Sequence, residues 1–155
     1  MGKNYDYSYE WDIKYCYPNS FVLRNKFNIT NNEELNIAEM EYTSLSIAEI
    51  KKNPIKGDFN LKHLQDIHRH IFRDIYDWAG ELRTVNISKG NPFCNCMYIE
   101  VEAERIFLEL KKENYLIGIS KSNICDKLAY YLGEINLLHP FREGNGRAQR
   151  VMIEY

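Results

Sequence analysis

At 155 residues and a formal net charge of −2, the chain is the size of one domain and large enough to bury a real core. Hydrophobic residues make up 45% and charged ones 27%, ordinary for a globular protein, and the near-neutral balance excludes a general nucleic-acid or anionic-membrane surface. No apolar run is long enough to span a bilayer, the polar, Tyr-rich N-terminus is not expected to act as a secretory signal, and the four cysteines show no disulfide framework, which favours a reducing, cytoplasmic compartment.

The first 28 residues are aromatic and polar without a clear period, so 1–29 reads as an irregular arm laid on a domain spanning 30–155. Thr30-Asn31-Asn32-Glu33 is a capping-box pattern that opens a helix with Leu35, Ala38, Tyr42 and Leu45 on one side, ending near Asn53-Pro54. A second helix is expected from about Asn60 to Trp78, with Leu61, Leu64, Ile67, Ile71, Ile75 and Trp78 as its core stripe, closed by Ala79-Gly80. The period then changes. Thr84–Ser88 alternates apolar with polar, Lys89-Gly90-Asn91-Pro92 reads as a turn, and Met97-Tyr98-Ile99 reads as a second short strand. Taken alone, such a hairpin is equally well a plain surface ribbon. A third helix follows, about Val101 to Asn114, and then a fourth over Asn123–Leu138 with Ile124, Leu128, Leu132, Ile135 and Leu138 at helical spacing. There is no repeat and no inter-domain linker, and the expected fold class is mainly α.

The densest chemistry follows that fourth helix, in His139-Pro140-Phe141-Arg142-Glu143-Gly144-Asn145-Gly146-Arg147, continued by Arg150. Pro140 stops the helix and leaves His139 at its end; Gly144-Asn145-Gly146 forms a tight connection to a fifth helix beginning near Arg147. Arg147 and Arg150 then share a face in its first turn. Cations there oppose the positive end of the helix dipole, beside N–H groups with no helical acceptor. Such an arrangement helps a fold only if an anion sits there. A polyphosphate fits: N–H groups and arginines hold its oxygens, and Glu143 holds a Mg²⁺ that bridges them.

Each residue has a plainer role when taken alone. Gly-Asn-Gly is a common turn, a histidine at a helix C-terminus is a favourable dipole contact, and Arg150 can pair with Glu154. Phe141 is expected in the core, and Pro140 and Arg142 to be structural or solvent-facing. Cys94, Cys96, His68 and His70 together suggest zinc, but residues two apart on a helix point to nearly opposite sides, and Cys-x-Cys lacks the usual spacing. His68 is expected to be packed or hydrogen-bonded, with His63 and His70 on the surface.

The run HPFREGNGRAQR, His139 to Arg150, resembles the signature of the Fic family (filamentation induced by cyclic AMP), HxFx(D/E)GNGRxxR, at every specified position. His68 to Phe72 and Tyr76 to Arg83 resemble the segment upstream of it in that family, so the likeness covers roughly residue 30 to the C-terminus. The resemblance implies a Fic-type helical domain with a short β-hairpin flap over the active site. It implies transfer of AMP from ATP to a Tyr, Thr or Ser hydroxyl of a target protein held along that flap, with Lys89 and Gly90 approaching the nucleotide or the target. His139 becomes the catalytic base, Glu143 the Mg²⁺ ligand, and Gly144, Asn145 and Gly146, with the Asn145 side chain, the anion hole. Arg147 takes the β-phosphate and Arg150 the γ-phosphate.

Alternatives within the same resemblance are another donor (a different nucleotide or phosphocholine), removal of AMP, and a non-catalytic nucleotide-binding module. The family's inhibitory pattern, (S/T)xxxE(G/N), occurs nowhere in the chain. An inhibitory glutamate is therefore expected from a separate small antitoxin protein or from beyond residue 155. Family members continue with further helices, so the domain is expected to be truncated at its C-terminal end. Its setting is expected to be a bacterial toxin–antitoxin pair or an effector translocated into a host cell.

Overall fold

The structure is a computed structural model that describes residues 12–155. The first eleven residues of the expected arm lie outside the described residues. Residues 12–31 run irregularly over the domain, with one isolated bridge between Cys16 and Leu23.

The described fold is mainly helical, built on five α-helices: α1 (Asn32–Lys52), α2 (Leu61–Phe72), α3 (Ile99–Lys112), α4 (Ile124–Leu138) and α5 (Asn145–Ile153). None of these is long and apolar enough to cross a membrane. α2 lies at the centre, against α1, α3 and α5, while α4 packs on α3 and α5. Its buried face, Leu64, Ile67, His68, Ile71 and Phe72, supplies the middle of the core. Ile50 of α1, Ile99, Ala103 and Ile106 of α3, Ile135 and Leu138 of α4, and Ala148 and Val151 of α5 close around it.

α1 begins where the capping signal lies, but Asn31 is the cap: its side chain accepts from the N–H groups of Glu33 and Glu34 at 2.9 and 3.1 Å. Glu33 and Glu34 in the first turn and Lys51 and Lys52 in the last complement the helix dipole. The inward face differs from the expected one. Leu35, Glu39, Thr43, Ser46 and Ile50 are buried, whereas Leu45 is 72% exposed. The helix turns a polar stripe inward because that stripe meets polar partners on α5 and on the turn after α2.

α2 ends at Phe72, not Trp78. The N–H groups of Ile75 and Tyr76 both fold back on the carbonyl of Phe72. The carbonyls of Arg73 and Ile75 accept instead from Lys26, through its Nζ at 2.6 Å and its N–H at 2.8 Å. Hydrogen bonds to the arm thus replace the continuing helical ladder, and Ile75, Tyr76 and Trp78 stay buried without it. Gly80 closes the turn at φ +80°, where a Cβ would stand 2.8 Å from the Gln65 carbonyl oxygen.

The hairpin is smaller than expected. β1 (Ser88–Lys89) pairs antiparallel with β2 (Asn91–Pro92), Ser88 opposite Pro92 and Lys89 opposite Asn91, around Gly90 at φ +76°. Met97 and Tyr98 lie in a short 3₁₀ turn, capped by the Asn95 side chain on the Met97 N–H, and Ile99 opens α3. The Asn86 side chain also accepts from the Cys96 N–H at 2.9 Å. These side-chain caps draw residues 95–98 away from strand pairing.

Candidate active site

α4 ends as Pro140 dictates, with His139 capping it in the left-handed region at φ 45°, ψ 60° and its N–H on the carbonyl of Ile135. The His139 Nδ1 lies 3.1 Å from the carbonyl of Asn136. A carbonyl only accepts, so this nitrogen carries the proton and Nε2 is left as the basic one. The ring stacks on Phe93, centroids 3.7 Å apart and planes 12° from parallel. Burial, followed by the cations Arg83 and Lys89, lowers its pKa to about 4, against the pull of the Asn136 carbonyl.

The loop after His139 is locked from inside. The Asn145 side chain, 4% exposed, accepts from the Phe141 N–H at 2.8 Å and donates to the Phe141 carbonyl at 2.7 Å. Phe141 is fully buried and stacks on His68 at 3.9 Å. His68 fulfils the packed reading: its Nδ1 accepts from the Gly80 N–H at 2.9 Å, so Nε2 donates to the Glu143 carbonyl, also at 2.9 Å. Gly144 caps α5 at φ +79°, and a Cβ there would lie 2.1 Å from the Phe72 ring. Only glycine brings the chain that close to α2. α5 therefore starts at Asn145, two residues before the expected Arg147.

One surface expectation is corrected. His63 is 3% exposed, its Nδ1 accepting from the Phe59 N–H and its Nε2 facing the Ile55 carbonyl at 2.8 Å. Of the two roles expected for it, structural or solvent-facing, Arg142 takes the structural one: its side chain is 2% exposed and donates through Nε to Asp12 at 3.0 Å, whose side chain is 1% exposed. Pro140 is buried as well.

Around this frame the candidate groups gather. The first turn of α5 presents the backbone of Asn145 and Gly146 at the positive end of the helix. Arg150 is exposed and folds back over Gly146, whose Cβ would meet its Nη1 at 3.1 Å; Glu154 pairs with Lys51 instead. The Gly144 N–H donates to the Glu143 carboxylate at 2.9 Å. Arg147 points to α1, donating to Glu39 and, at 3.2 Å, to Thr43, with Glu143 3.7 Å away and the Phe72 ring 4.8 Å from its guanidinium. Tyr76 donates its hydroxyl to the other Glu39 oxygen, and burial followed by that carboxylate pushes its pKa up. Burial and then Glu39 also raise the pKa of Glu143, against the Gly144 N–H and Arg147. Lys89 and Gly90 sit exposed at the ribbon tip.

Glu39, Thr43 and Tyr76 escaped the sequence reading. A helix glutamate spaced four from a threonine carries no signal until α5 is known to lie opposite.

The buried His68 and half-buried His139 imidazoles predict a specific acid response. His68, lowered mainly by burial to about 3, and His139 at about 4 lie below the roughly 6.5 of an ordinary histidine. The unfolded chain takes up these protons first as pH falls. The stability contributed is complete above about 6.5 and is lost progressively towards pH 4 and 3. Nitrogen-resolved NMR at pH 5.5 should show both rings neutral; titration of either near 6.5 would contradict the assigned burial.

Residues 58–155 match the Fic/DOC family model. The chain is 44% identical over 142 residues to a probable protein adenylyltransferase Fic of Escherichia coli K12, covering 90% of this chain and 70% of that protein. It is 37% identical over 140 residues to the protein adenylyltransferase VbhT of Bartonella schoenbuchensis, covering 90% of this chain and 29% of the other. Among solved structures, the BepC effector of Bartonella tribocorum with bound AMPPNP superposes with a TM-score of 0.84 at 26% identity, over 90% of this chain and 74% of that one. An ADP-bound Fic domain from Bartonella quintana gives 0.84 at 29% identity, over 90% and 73%. A helical fold presenting a histidine at one helix end beside an arginine-bearing helix N-terminus defines the class. The chain belongs to the Fic/DOC family.

Proposed function

We propose that this Fic domain is a protein adenylyltransferase, moving AMP from ATP to a Tyr, Thr or Ser hydroxyl of a target protein. One observation carries the reading. The intact run His139–Arg150 folds so that a neutral imidazole at the end of α4 stands over a locked loop leading to an arginine-bearing helix N-terminus. Relatives named protein adenylyltransferases, and neighbours holding AMPPNP or ADP, support it.

In this reading His139 Nε2 takes the proton of the acceptor hydroxyl. The oxygen forms a bond to the α-phosphorus as the bond to the β-phosphate oxygen breaks, and pyrophosphate leaves. Backbone N–H groups of Asn145 and Gly146 hold phosphate oxygens. Arg150 takes the γ-phosphate. Arg147, anchored on Glu39, has further donors in its fork for the β-phosphate. Since the Gly144 N–H faces Glu143 and the Asn145 side chain holds Phe141, their contribution is to the shape of the cradle.

Among the described residues no group of three or more acidic, His or Cys side chains gathers at one point. A Mg²⁺ completed by phosphates and water needs only one or two protein carboxylates, which Glu143 fits. There it would neutralise charge developing on the leaving group. Glu143→Gln should keep the loop shape but weaken transfer, with a defect that shrinks as Mg²⁺ is raised. Activity independent of Mg²⁺ in both forms would remove Glu143 from this role.

The ribbon carrying Lys89 and Gly90 offers main-chain pairing to the target segment. ATP labelled on the α- or the γ-phosphate, in separate reactions with candidate target lysate, tests the whole reading. Label retained only from the α-position supports it. Label from the γ-position means phosphate transfer, and none from either points to another donor, to AMP removal or to binding alone.

Regulation rests on Arg150. Glu39 engages Arg147, leaving Arg150 exposed for a carboxylate supplied by a small antitoxin protein or by a segment beyond residue 155. Such a carboxylate competes with phosphate for the same donors. Expression of the full-length protein without its neighbouring small reading frame should be toxic and auto-modifying, and co-expression should silence it. An inactive lone protein with no carboxylate on Arg150 would defeat this account. The setting inferred is a cytoplasmic toxin–antitoxin pair or an effector passed into a host cell, as in the VirB-translocated Bartonella neighbours.

A further inference from the structure

Arg83 is 2% exposed, and its guanidinium ends on backbone carbonyls. Nε donates to His139 at 2.7 Å, Nη1 to Val85 at 2.7 Å, and Nη2 to Cys94 and, at 3.4 Å, to Leu138. Its own N–H donates to the Pro140 carbonyl at 2.9 Å. Among the described residues no carboxylate pairs with it. An arginine so placed satisfies the last carbonyls of α4 at the negative end of the helix dipole.

A helix staple alone would need only Leu138 and His139. This guanidinium also reaches Val85, ahead of β1, and Cys94, after β2, so it closes the base of the ribbon. The Cys94 N–H donates in turn to Leu137 at 3.0 Å. Phe93, one residue before Cys94, is the ring stacked on His139. Three elements therefore meet on one planar fork: the αL residue that bears the base, the ring lying on that base, and both ends of the ribbon.

We propose that Arg83 is a positioning residue for His139, holding the imidazole, the Phe93 ring and the base of the ribbon in one register. The inference rests on the adenylyl-transfer reading for what the register serves: Nε2 must meet a hydroxyl carried by a segment lying along the ribbon. Arg83 sets the His139 carbonyl, and with it the ψ angle that aims the side chain. A lysine brings one charge but no fork, and cannot hold these four carbonyls around a planar group.

The test compares Arg83→Lys and Arg83→Met with wild type in the full-length protein. Expected is a fall in kcat of about 10–100-fold, the scale of a misplacement near one ångström, with the KM for ATP changed less than about twofold. Guanidinium at tens of millimolar should restore part of the rate in Arg83→Met and none in His139→Ala. NMR of the His139 ring should show its titration midpoint moving upward from about 4 in Arg83→Met, because of the two cations acting on it only Lys89 of β1 remains.

A folded variant with wild-type kcat overturns the proposal. So does a lost kcat with unchanged His139 titration and no rescue, which leaves Arg83 a structural staple only. If Arg83→Met does not fold, the kcat-against-KM split and ring titration of Arg83→Lys decide. Absence of AMP transfer in the wild type defeats the functional reading alone, since the His139 titration still reports on the register.

Discussion

Replacing His139 with alanine is expected to cut AMP transfer by about 10²–10⁴-fold, the range for loss of a general base, with ATP affinity retained to within a few-fold. The imidazole closes on Asn136 and Phe93, not on the α5 cradle, so its removal leaves the phosphate-holding groups in place. Alanine at φ 45° adds backbone strain, whereas asparagine tolerates that region. His139→Asn therefore separates lost chemistry from lost conformation: both variants should be inactive, and His139→Asn should bind ATP as wild type does. The wild-type rate should also hold on the acid side well below pH 6.5, because the ring stays neutral down to about 4. Calorimetric ATP affinity and labelling rate on the same preparations check this, and retained labelling in either variant would reject His139 as the base.

The largest effect on stability is expected at Asp12–Arg142. Both side chains are almost fully enclosed, 1% and 2% exposed, with Nε 3.0 Å from the carboxylate. Asp12 also accepts from the Tyr15 N–H at 3.2 Å, and the guanidinium lies 5.9 Å from the Tyr15 ring centre. Removing one partner strands the other as a buried charge, which costs about 3–5 kcal/mol. Asp12→Ala and Arg142→Met should each lower stability by this order in denaturant unfolding, and the double variant should lose less than the sum. Since Arg142 sits inside the His139–Arg150 run, the arm is in effect a strap on that loop. Single variants within about 1 kcal/mol of wild type would show that the pair carries no such weight.

Much of the frame was legible in the residues themselves. Apolar spacing and Pro140 predict a helix over Asn123–Leu138, found at Ile124–Leu138, and Gly144-Asn145-Gly146 predicts the turn that Gly144 makes. Phe141 and His68 were placed in the interior, and the site run was recognised as a unit because its chemistry is contiguous. Element ends and partners were less legible. α2 reads as helix through Trp78 because its apolar period continues, but Lys26 takes the carbonyls that the helix would have needed. The return strand at Met97–Ile99 reads as β by composition, but asparagine caps turn it into α3.

The inward face of α1 is legible only at Leu35. Hydrophobic periodicity assumes that a buried face is apolar, whereas α1 buries Glu39, Thr43 and Ser46 because Arg147 and Tyr76 stand opposite. His63 reads as a surface group because nothing in its own segment marks Ile55 and Phe59 as its partners, and which of its two expected roles Arg142 takes is set by Asp12. The sequence by itself determined that the candidate groups share one short run spanning the end of one helix, a turn and the start of the next. Local spacing, helix stops and glycine conformation act over a few residues and are written in the chain. Which polar groups lie inside, what holds His139 and Arg147, and where the ribbon is tied were decided only by the tertiary structure. A polar side chain is buried where a partner waits, and the groups that hold His139, Arg147 and Arg142 lie 56 to 130 residues away in the chain.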